Sequence, residues 1–387
     1  MFLNAFRFFL TLVSHLQIRW IAYAILALVF SLLIPFTSSG CGKPMRKHLT
    51  EDRAILYPAY GYRMENGQWM IQLHSYFFEL EQSDRSHVLL QKLLKEVLER
   101  EELEEEEMPK WQSDLFQERI SWFLLDSEED RNMQVSIDGK SYSMPASESS
   151  GHSRISFPVT ITDDGPGTSV LTMHGSLNGI ELASARLFLV DNSGLSIVSD
   201  IDDTIKVSEV RNRERLIDNT FFHHFRAVKG MSDLYEVWHQ QGAMFHYISG
   251  SPWQLFPSLK TFLVESGFPE GSYHLRNFHL SDGSFWKFIN HNEDNVSRHY
   301  KVTSLESLLL QFPGRKFILV GDSGEQDPEV YSYAATRFPD QIQAILIRNV
   351  TGEDAHALRY RNLRIPPDVR FQVFEDPSEL SPFKPAF

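Results

Sequence analysis

Hydrophobic and polar positions follow two different rhythms along this chain, and the change falls near residue 190. Before it the pattern is mainly β. Trp69, Ile71 and Leu73 alternate with other residues as in a half-buried strand, and Met133, Val135 and Ile137 do so again. Asp138-Gly139 supplies a hairpin turn ahead of Tyr142 and Met144. Further strands are expected over 154–162, 169–174 and 181–190, with a strong turn at Asp163-Asp164-Gly165-Pro166-Gly167. One helix interrupts them, with Leu90, Leu93, Leu94, Val97 and Leu98 at helical spacing, running into Glu104–Glu107 and stopping before Pro109. That acidic run reads as a solvated helix end rather than a cation site, because like charges side by side prefer water. Residues 59–190 are therefore expected to form a β-rich, sandwich-like domain.

From Asn192 onward the period changes. Short apolar strands at 195–199, 244–249, 316–320 and 343–347 alternate with helical stretches such as 257–266 and 304–312. This alternation predicts an α/β domain over 191–387, a parallel sheet covered by helices. In such sheets ligands sit at the carboxyl ends of the strands.

Ahead of both regions lies an uncharged apolar run from Trp20 to Phe36, preceded by Arg19 and followed by Thr37-Ser38-Ser39-Gly40-Cys41. A basic start, an apolar stretch, small residues and a cysteine resemble a bacterial lipoprotein signal, with Cys41 as the lipidation site. An uncleaved single-pass anchor is the alternative, since the run is near the lower length limit for crossing a bilayer. A buried helix of a soluble domain suits so apolar a segment poorly. Lys43, Arg46 and Lys47 after the run leave its orientation open. Residues 1–41 thus read as a membrane-targeting segment, and 42–58 as a polar tether. Both leading readings put the protein at a membrane surface, extracytoplasmic in the lipoprotein case.

A length of 387 residues allows about two domains, and 42% hydrophobic residues suit a sizeable core. The net charge of -14 disfavours nucleic acid as a partner but leaves local basic sites free to bind phosphate. Cys41 is the one cysteine, so no intramolecular disulfide and no thiolate metal site can be built. Phe285-Trp286-Lys287-Phe288 could dip into a bilayer, but in a chain with 13% aromatics such a group is more often core.

Three of the four α/β strands end in residues that carry chemistry. Leu195–Ser199 runs into Asp200-Ile201-Asp202-Asp203-Thr204, where carboxylates spaced by two crowd negative charge at a strand end. Phe245–Ile248 ends in Ser249-Gly250-Ser251, a hydroxyl and free backbone N–H groups suited to an anionic oxygen. Lys301 follows at the start of a helix. Phe317–Val320 ends in Gly321-Asp322-Ser323-Gly324-Glu325-Gln326-Asp327, a second acidic cluster. As mere turn and cap residues these would require four coincidences to agree.

Asp-x-Asp-x-Thr, strand plus Ser, Lys, and Gly-Asp-x-x-x-x-Asp, in that order, resemble the four motifs of haloacid dehalogenase-type phosphatases. The stretches 197–206, 245–254 and 317–329, with Asn219 to Met231, are similar to the catalytic domain of the actin patch protein type of phosphatidate phosphatases, over about Gly194 to Arg348. The resemblance implies a Rossmann-like haloacid dehalogenase sheet. It implies that Asp200 attacks phosphorus and becomes an aspartyl phosphate, and that Asp202 protonates the leaving alkoxide and then activates water. It implies that Ser249, Gly250 and Lys301 hold the phosphoryl group and that Thr204 orders the loop. Mg2+ would be bound by Asp200, Asp322 and the Asp202 carbonyl, with Asp327 orienting that shell or Lys301. Asp203 and Glu325 are candidates either for ligation or for a supporting role. The implied substrate is a membrane lipid, phosphatidate, presented to a site with little room for a lid. Another lipid or soluble phosphomonoester is the alternative, and a vestigial, membrane-tethered phosphate-binding scaffold is a third reading, which the intact Asp200, Asp202, Lys301 and Asp322 oppose. His223-His224 read as loop or core residues rather than metal ligands, because adjacent side chains diverge, and Arg226 is open between meeting the substrate phosphate and a surface role.

Overall fold

The computed structural model describes residues 53–79, 113–161, 169–278 and 294–380. The targeting segment with Cys41, the acidic helix at 90–107, the turn at 163–167 and the aromatic group at 285–288 lie outside these residues. Among the described residues no helix is long and apolar enough to cross a membrane.

The first region contains nine strands: β1 Arg53–Leu56, β2 Ala59–Arg63, β3 Trp69–Glu79, β4 Asp126–Ser127, β5 Gln134–Ile137, β6 Lys140–Ser143, β7 His152–Val159, β8 Ser169–Leu177 and β9 Ile180–Val190. Helix α1, Asp114–Ser121, precedes β4 and is capped by the Ser113 side chain, which accepts from the Phe116 N–H. The β-rich, sandwich-like region expected from alternation is, in the structure, one connected sheet that all nine strands join. The reason is strand length. β3 pairs with β7 along one edge, and with β2 and then β1 along the other. β8 and β9 pair along almost their whole lengths. The sheet curls until its outer strands meet: Tyr142 of β6 packs against Phe157 of β7 at 4.9 Å between ring centroids. Inside lie Trp69, Ile71, Leu73, Met133, Val135 and Ile137, the faces that the alternation selects. Asp138 and Gly139 both have positive φ, 49° and 72°, as a tight two-residue hairpin requires.

The second region is a six-stranded sheet of β10 Leu195–Ser199, β11 Met244–Pro252, β12 Gly271–Arg276, β13 Lys316–Asp322, β14 Ile342–Arg348 and β15 Arg370–Phe374. Its order is β12-β11-β10-β13-β14-β15, and every pair is parallel. Helices α2 Met231–Gln240 and α3 Phe256–Glu265 cover one face, and α4 Asp294–Gln311 and α5 Asp327–Arg337 the other. Successive strands step outward from β10 to one side, then resume on its other side. The carboxyl ends of β10 and β13 therefore flank a topological switch point, the usual ligand position in such sheets.

The two regions share their cores. Tyr57 stacks near Trp253 and Phe256, with ring centroids 4.3 and 4.9 Å away. Tyr60 donates through its hydroxyl to Gln311 Oε1 at 2.7 Å, while Phe188 and Val190 pack with Leu308 and Phe312. Of the residues 42–58 expected to form a tether, those from 53 onward are built into the fold. Ile55 and Leu56 already belong to a strand by Arg53, and Tyr57 is only 1% exposed.

Candidate active site

β10 delivers Asp200 directly into the switch point, where its N–H donates to the Val320 carbonyl of β13 at 2.9 Å. The loop beyond is closed by main chain: the N–H groups of Ile205 and Lys206 both donate to the Ile201 carbonyl at 3.0 Å. Thr204, expected to order this loop, is buried, and its hydroxyl has no hydrogen-bond partner among the described residues. Asp203 adopts φ 56°, a left-handed conformation that Asp tolerates better than most residues. Its carboxylate accepts from the N–H groups of Ser208, Glu209 and Val210 at 2.9, 2.8 and 2.7 Å. Asp203 thus anchors the next segment, and its charge adds to the upward push on Asp322.

That cluster is gathered by Lys301 on α4. Its ammonium donates to Asp200 Oδ1 at 2.9 Å, Glu325 Oε2 at 2.7 Å and Asp327 Oδ1 at 2.6 Å, using all three of its N–H directions. Lys301 is 4% exposed and Asp200 1%. Burial alone would lower the lysine, but the three carboxylates outweigh it and hold the ammonium well above its ordinary value. Burial pushes Asp200, Asp322 and Asp327 upward; Lys301 opposes the rise and the neighbouring carboxylates add to it. The loop after β13 is wound tightly around this cluster. Asp322 Oδ1 accepts from the Gly324 N–H at 2.6 Å, and the Asp322 N–H donates to Asp327 Oδ2 at 3.2 Å. A Cβ on Gly321 would stand 2.4 Å from Asp327 Oδ2, so only glycine lets Asp327 approach.

Asp202 faces a different set of partners. Its Oδ1 accepts from the Ser208 hydroxyl at 2.7 Å and pairs with Lys206 Nζ at 2.7 Å. Its Oδ2 accepts from the hydroxyls of Ser249 and Ser251 at 2.9 and 2.8 Å. Burial would raise this carboxyl, but Lys206 and the hydroxyls prevail and keep it below the ordinary carboxylate range. The structure therefore presents Asp202 as an anion, and engages Ser249 with it rather than leaving that hydroxyl open. Lys206, Ser208 and Ser251 are the residues that sequence reasoning passed over. The signal was their spacing, Lys206 four residues after Asp202 and Ser251 two after Ser249.

Two oxygens in this charged interior are orphaned. Asp200 Oδ2 and Asp322 Oδ2 are buried, with no hydrogen-bond partner among the described residues. Unpaired carboxylate oxygens in an acidic pocket form a donor set for a hard divalent cation. Asp200, Glu325 and Asp327 also bring oxygens within 4.8 Å of one another, but the Lys301 ammonium already contacts all three. A cavity of about 460 Å³ opens beside Lys301, Gly324 and Glu325. His223, His224 and Arg226 are exposed, and His223 offers its carbonyl to Arg119 at 2.7 Å.

Residues 195–349, from β10 to the end of β14, match the family described as phosphatidate phosphatase APP1, catalytic domain. This segment, which carries Asp200, Ser249, Lys301 and Asp322, is similar to that catalytic domain. The chain is 38% identical over 159 residues to the phosphatidate phosphatase APP1 of Saccharomyces cerevisiae, covering 40% of this chain and 26% of that one. It is 32% identical over 203 residues to an uncharacterized protein of Schizosaccharomyces pombe, covering 51% of this chain and 32% of that one. The chain thus spans about a third or less of either relative's length. A sialyltransferase crystal structure from Photobacterium damsela aligns with 57% of this chain and 37% of its own at 8% identity, but a TM-score of 0.18 carries no argument.

Proposed function

We propose that this protein is a Mg2+-dependent phosphatidate phosphatase with a haloacid dehalogenase-type domain, releasing diacylglycerol and inorganic phosphate through an aspartyl phosphate on Asp200. One observation carries the reading. In the segment that matches that family, a buried carboxylate at the switch point has one oxygen on Lys301 and the other unpartnered. Asp200 and Asp322, with the Asp202 carbonyl, would hold Mg2+, which when bound offsets the crowded carboxylates and polarises the phosphoryl oxygens.

A carboxylate oxygen of Asp200 attacks phosphorus, and the bond from phosphorus to the glycerol oxygen breaks. Asp202, resting as an anion, takes the proton of the phosphomonoester monoanion once the arriving phosphoryl group has displaced its hydroxyl partners, and passes that proton to the glycerol oxygen as diacylglycerol leaves. Water then attacks the aspartyl phosphate and yields a proton to Asp202. The bond from phosphorus to Asp200 breaks, and phosphate departs. Lys301 holds Asp200 in line and balances charge on the transferring group, while Ser249 and the Gly250 N–H hold its oxygens. An arriving phosphoryl group competes with Asp202 for the Ser249 and Ser251 hydroxyls. Winning them frees Asp202 to swing toward the leaving oxygen. The same reading attaches the protein to a membrane through Cys41 or the 20–36 run, which concentrates the site near lipid headgroups.

The test is phosphate release by the full chain in detergent micelles from phosphatidate, sugar phosphates and p-nitrophenyl phosphate. Phosphatidate should have the highest kcat/KM, EDTA should silence turnover, and Mg2+ should restore it. Asp200→Asn should lower turnover by several orders of magnitude. Near-normal turnover in that variant would sink the mechanism. A clear preference for a soluble phosphate would replace the lipid assignment with the broader phosphomonoester one.

A further inference from the structure

The cavity beside Lys301 has a charge unlike that of the molecule. The chain as a whole carries -14, yet this cavity is lined by Arg211, Arg213, Arg298, Arg359 and Lys301, with Glu325 as its one acidic residue among those described. Glu325 is already held by Lys301 at 2.7 Å. Arg359 is held as well, through paired contacts with Glu329 at 2.7 and 2.8 Å. Arg211 and Arg298 stand apart. Both are exposed, and neither side chain is held in a close ion pair; Arg298 acts on Glu329 only at longer range, helping to lower that carboxyl.

The two come from opposite walls and are seated close to the chemistry. Arg211 follows the segment that Asp203 anchors through the Val210 N–H. Its side chain crosses Gly324: a Cβ on that glycine would lie 3.3 Å from Arg211 Cδ and 2.8 Å from Asp322 Oδ1. The Arg211 stem therefore runs over the loop that shapes Asp322. Arg298 sits on α4 three residues before Lys301 and lines the same cavity, next to Ser297, whose Oγ would lie 3.2 Å from a Cβ on Gly250 of β11. One arginine thus comes to the mouth from the chain after Asp203, across the loop after β13, and the other from α4. Two exposed guanidiniums at one entrance, neither locked in a close ion pair, focus a positive field that a single buried phosphoryl group does not need for its own neutralisation.

We propose that Arg211 and Arg298 form an anion subsite at the mouth, which takes a second anionic group beside the scissile phosphomonoester. The inference rests on the phosphatase reading and specifies its substrate class: a phosphomonoester that arrives with a neighbouring negative charge. That charge comes from an adjacent anionic headgroup on a lipid surface, or from a second acidic group on the substrate molecule itself. The chemistry at the arginines is the same in both cases, a charge-assisted hydrogen bond from guanidinium to an oxyanion. Exposed pairs of this kind are screened by salt, so the preference weakens as ionic strength rises.

The experiment uses the full-length protein, wild type and Arg211→Gln, Arg298→Gln and the double variant. Phosphatidate is diluted into micelles containing either a zwitterionic or an anionic phospholipid. In parallel, fructose 1,6-bisphosphate is compared with glucose 6-phosphate. p-Nitrophenyl phosphate is the common reference. Wild type should favour the anionic surface, the bisphosphate or both. Each substitution should reduce that preference, as a kcat/KM ratio to the reference, by about fivefold, and Arg→Lys at the same position should restore part of it. A gain confined to the anionic surface identifies a neighbouring lipid as the source of the charge, and a gain confined to the bisphosphate identifies the substrate itself. The subsite is overturned if wild type shows neither preference, or if the preference survives in the double variant. It is also overturned if the variants lose turnover equally on all substrates. That last result leaves the phosphatase reading standing. Absence of lipid hydrolysis, with the bisphosphate preference still sensitive to the arginines, removes phosphatidate and keeps the subsite.

Discussion

Replacing Lys301 with Met keeps the length of the side chain and removes the charge that gathers three carboxylates. The lysine is 4% exposed, and its contacts at 2.9, 2.7 and 2.6 Å are all to acidic oxygens. Each such contact represents roughly 6 kcal/mol of gross attraction at an effective dielectric of about 20. Desolvation and repulsion among the carboxylates cancel most of that sum. What remains on deleting one partner of a buried ion pair is about 3 to 5 kcal/mol of lost stability. The loss should depend on pH with a definite sign. Burial raises Asp200, Asp322 and Asp327, and Lys301 is what restrains the rise in each. A carboxyl whose folded value is raised contributes stability that is complete below its unfolded value, near pH 4, and is lost as pH climbs through the folded value. Without Lys301 that folded value moves higher still, so the variant loses more on the climb than wild type does. The assay is equilibrium urea unfolding in EDTA, followed by tryptophan fluorescence, at about pH 5 and about pH 8. The deficit should be largest at the higher pH and should shrink at the lower. A deficit below about 1 kcal/mol, or one equal at both pH values, would refute the view that the ammonium offsets buried negative charge here.

Gly321→Ala should displace Asp327 from Lys301, because the new methyl would stand 2.4 Å from Asp327 Oδ2; a loss of turnover of at least about tenfold is expected on p-nitrophenyl phosphate, and unchanged kinetics would show the loop to be pliant. Asp203→Ala strips three backbone N–H groups of their acceptor, so unfolding should become easier by about 2 to 3 kcal/mol, checked by urea titration. If Cys41 is lipidated, Cys41→Ser should abolish the acyl mass at the mature N-terminus, and an intact 1–40 segment with unmodified Cys41 in wild type would favour the uncleaved anchor instead.

The parallel sheet was readable because its inner strands are apolar on both faces: Ile197, Val198, Ile318 and Leu319 are all fully buried. Its outer strands were not. β12 reads Gly-Ser-Tyr-His-Leu-Arg, and its polar residues are tolerated only because they pair internally. The Ser272 hydroxyl is hydrogen-bonded to His246 Nδ1 at 2.7 Å and to His274 Nε2 at 3.2 Å, while the far side of His246 reaches Ser196. No local pattern announces such a chain, since its members lie on three strands. The site divides in the same way. Asp200 and Asp322 stand at strand ends and Asp327 at a helix start, where spacing and element type give their position, whereas Lys301, expected to open a helix, lies seven residues inside α4, which begins at Asp294. The partners of Asp202 depend on how the loop from 201 to 208 folds back, which is a matter of three-dimensional closure. Alternation likewise gave the inner face of the β-rich region, but it could not count sheets, because it records which way a side chain points and nothing about which edges pair.

The aromatic seam between the two sheets has a consequence for how such a catalytic unit can be inherited. Trp253 lies two residues beyond Ser251, and on its far side it meets Tyr57 and, at 4.6 Å, His74. A recombination event that carried off the α/β half alone would leave Trp253 and Phe256 facing water, directly behind the turn that bears Ser249 and Ser251. The resulting fragment would have the Ser249–Ser251 stretch mounted on an unsupported wall. The catalytic half is therefore a poor candidate for shuffling as a free cassette, and any lineage that keeps the loop in this form is under pressure to keep the curled sheet beside it, or to supply another aromatic surface in its place.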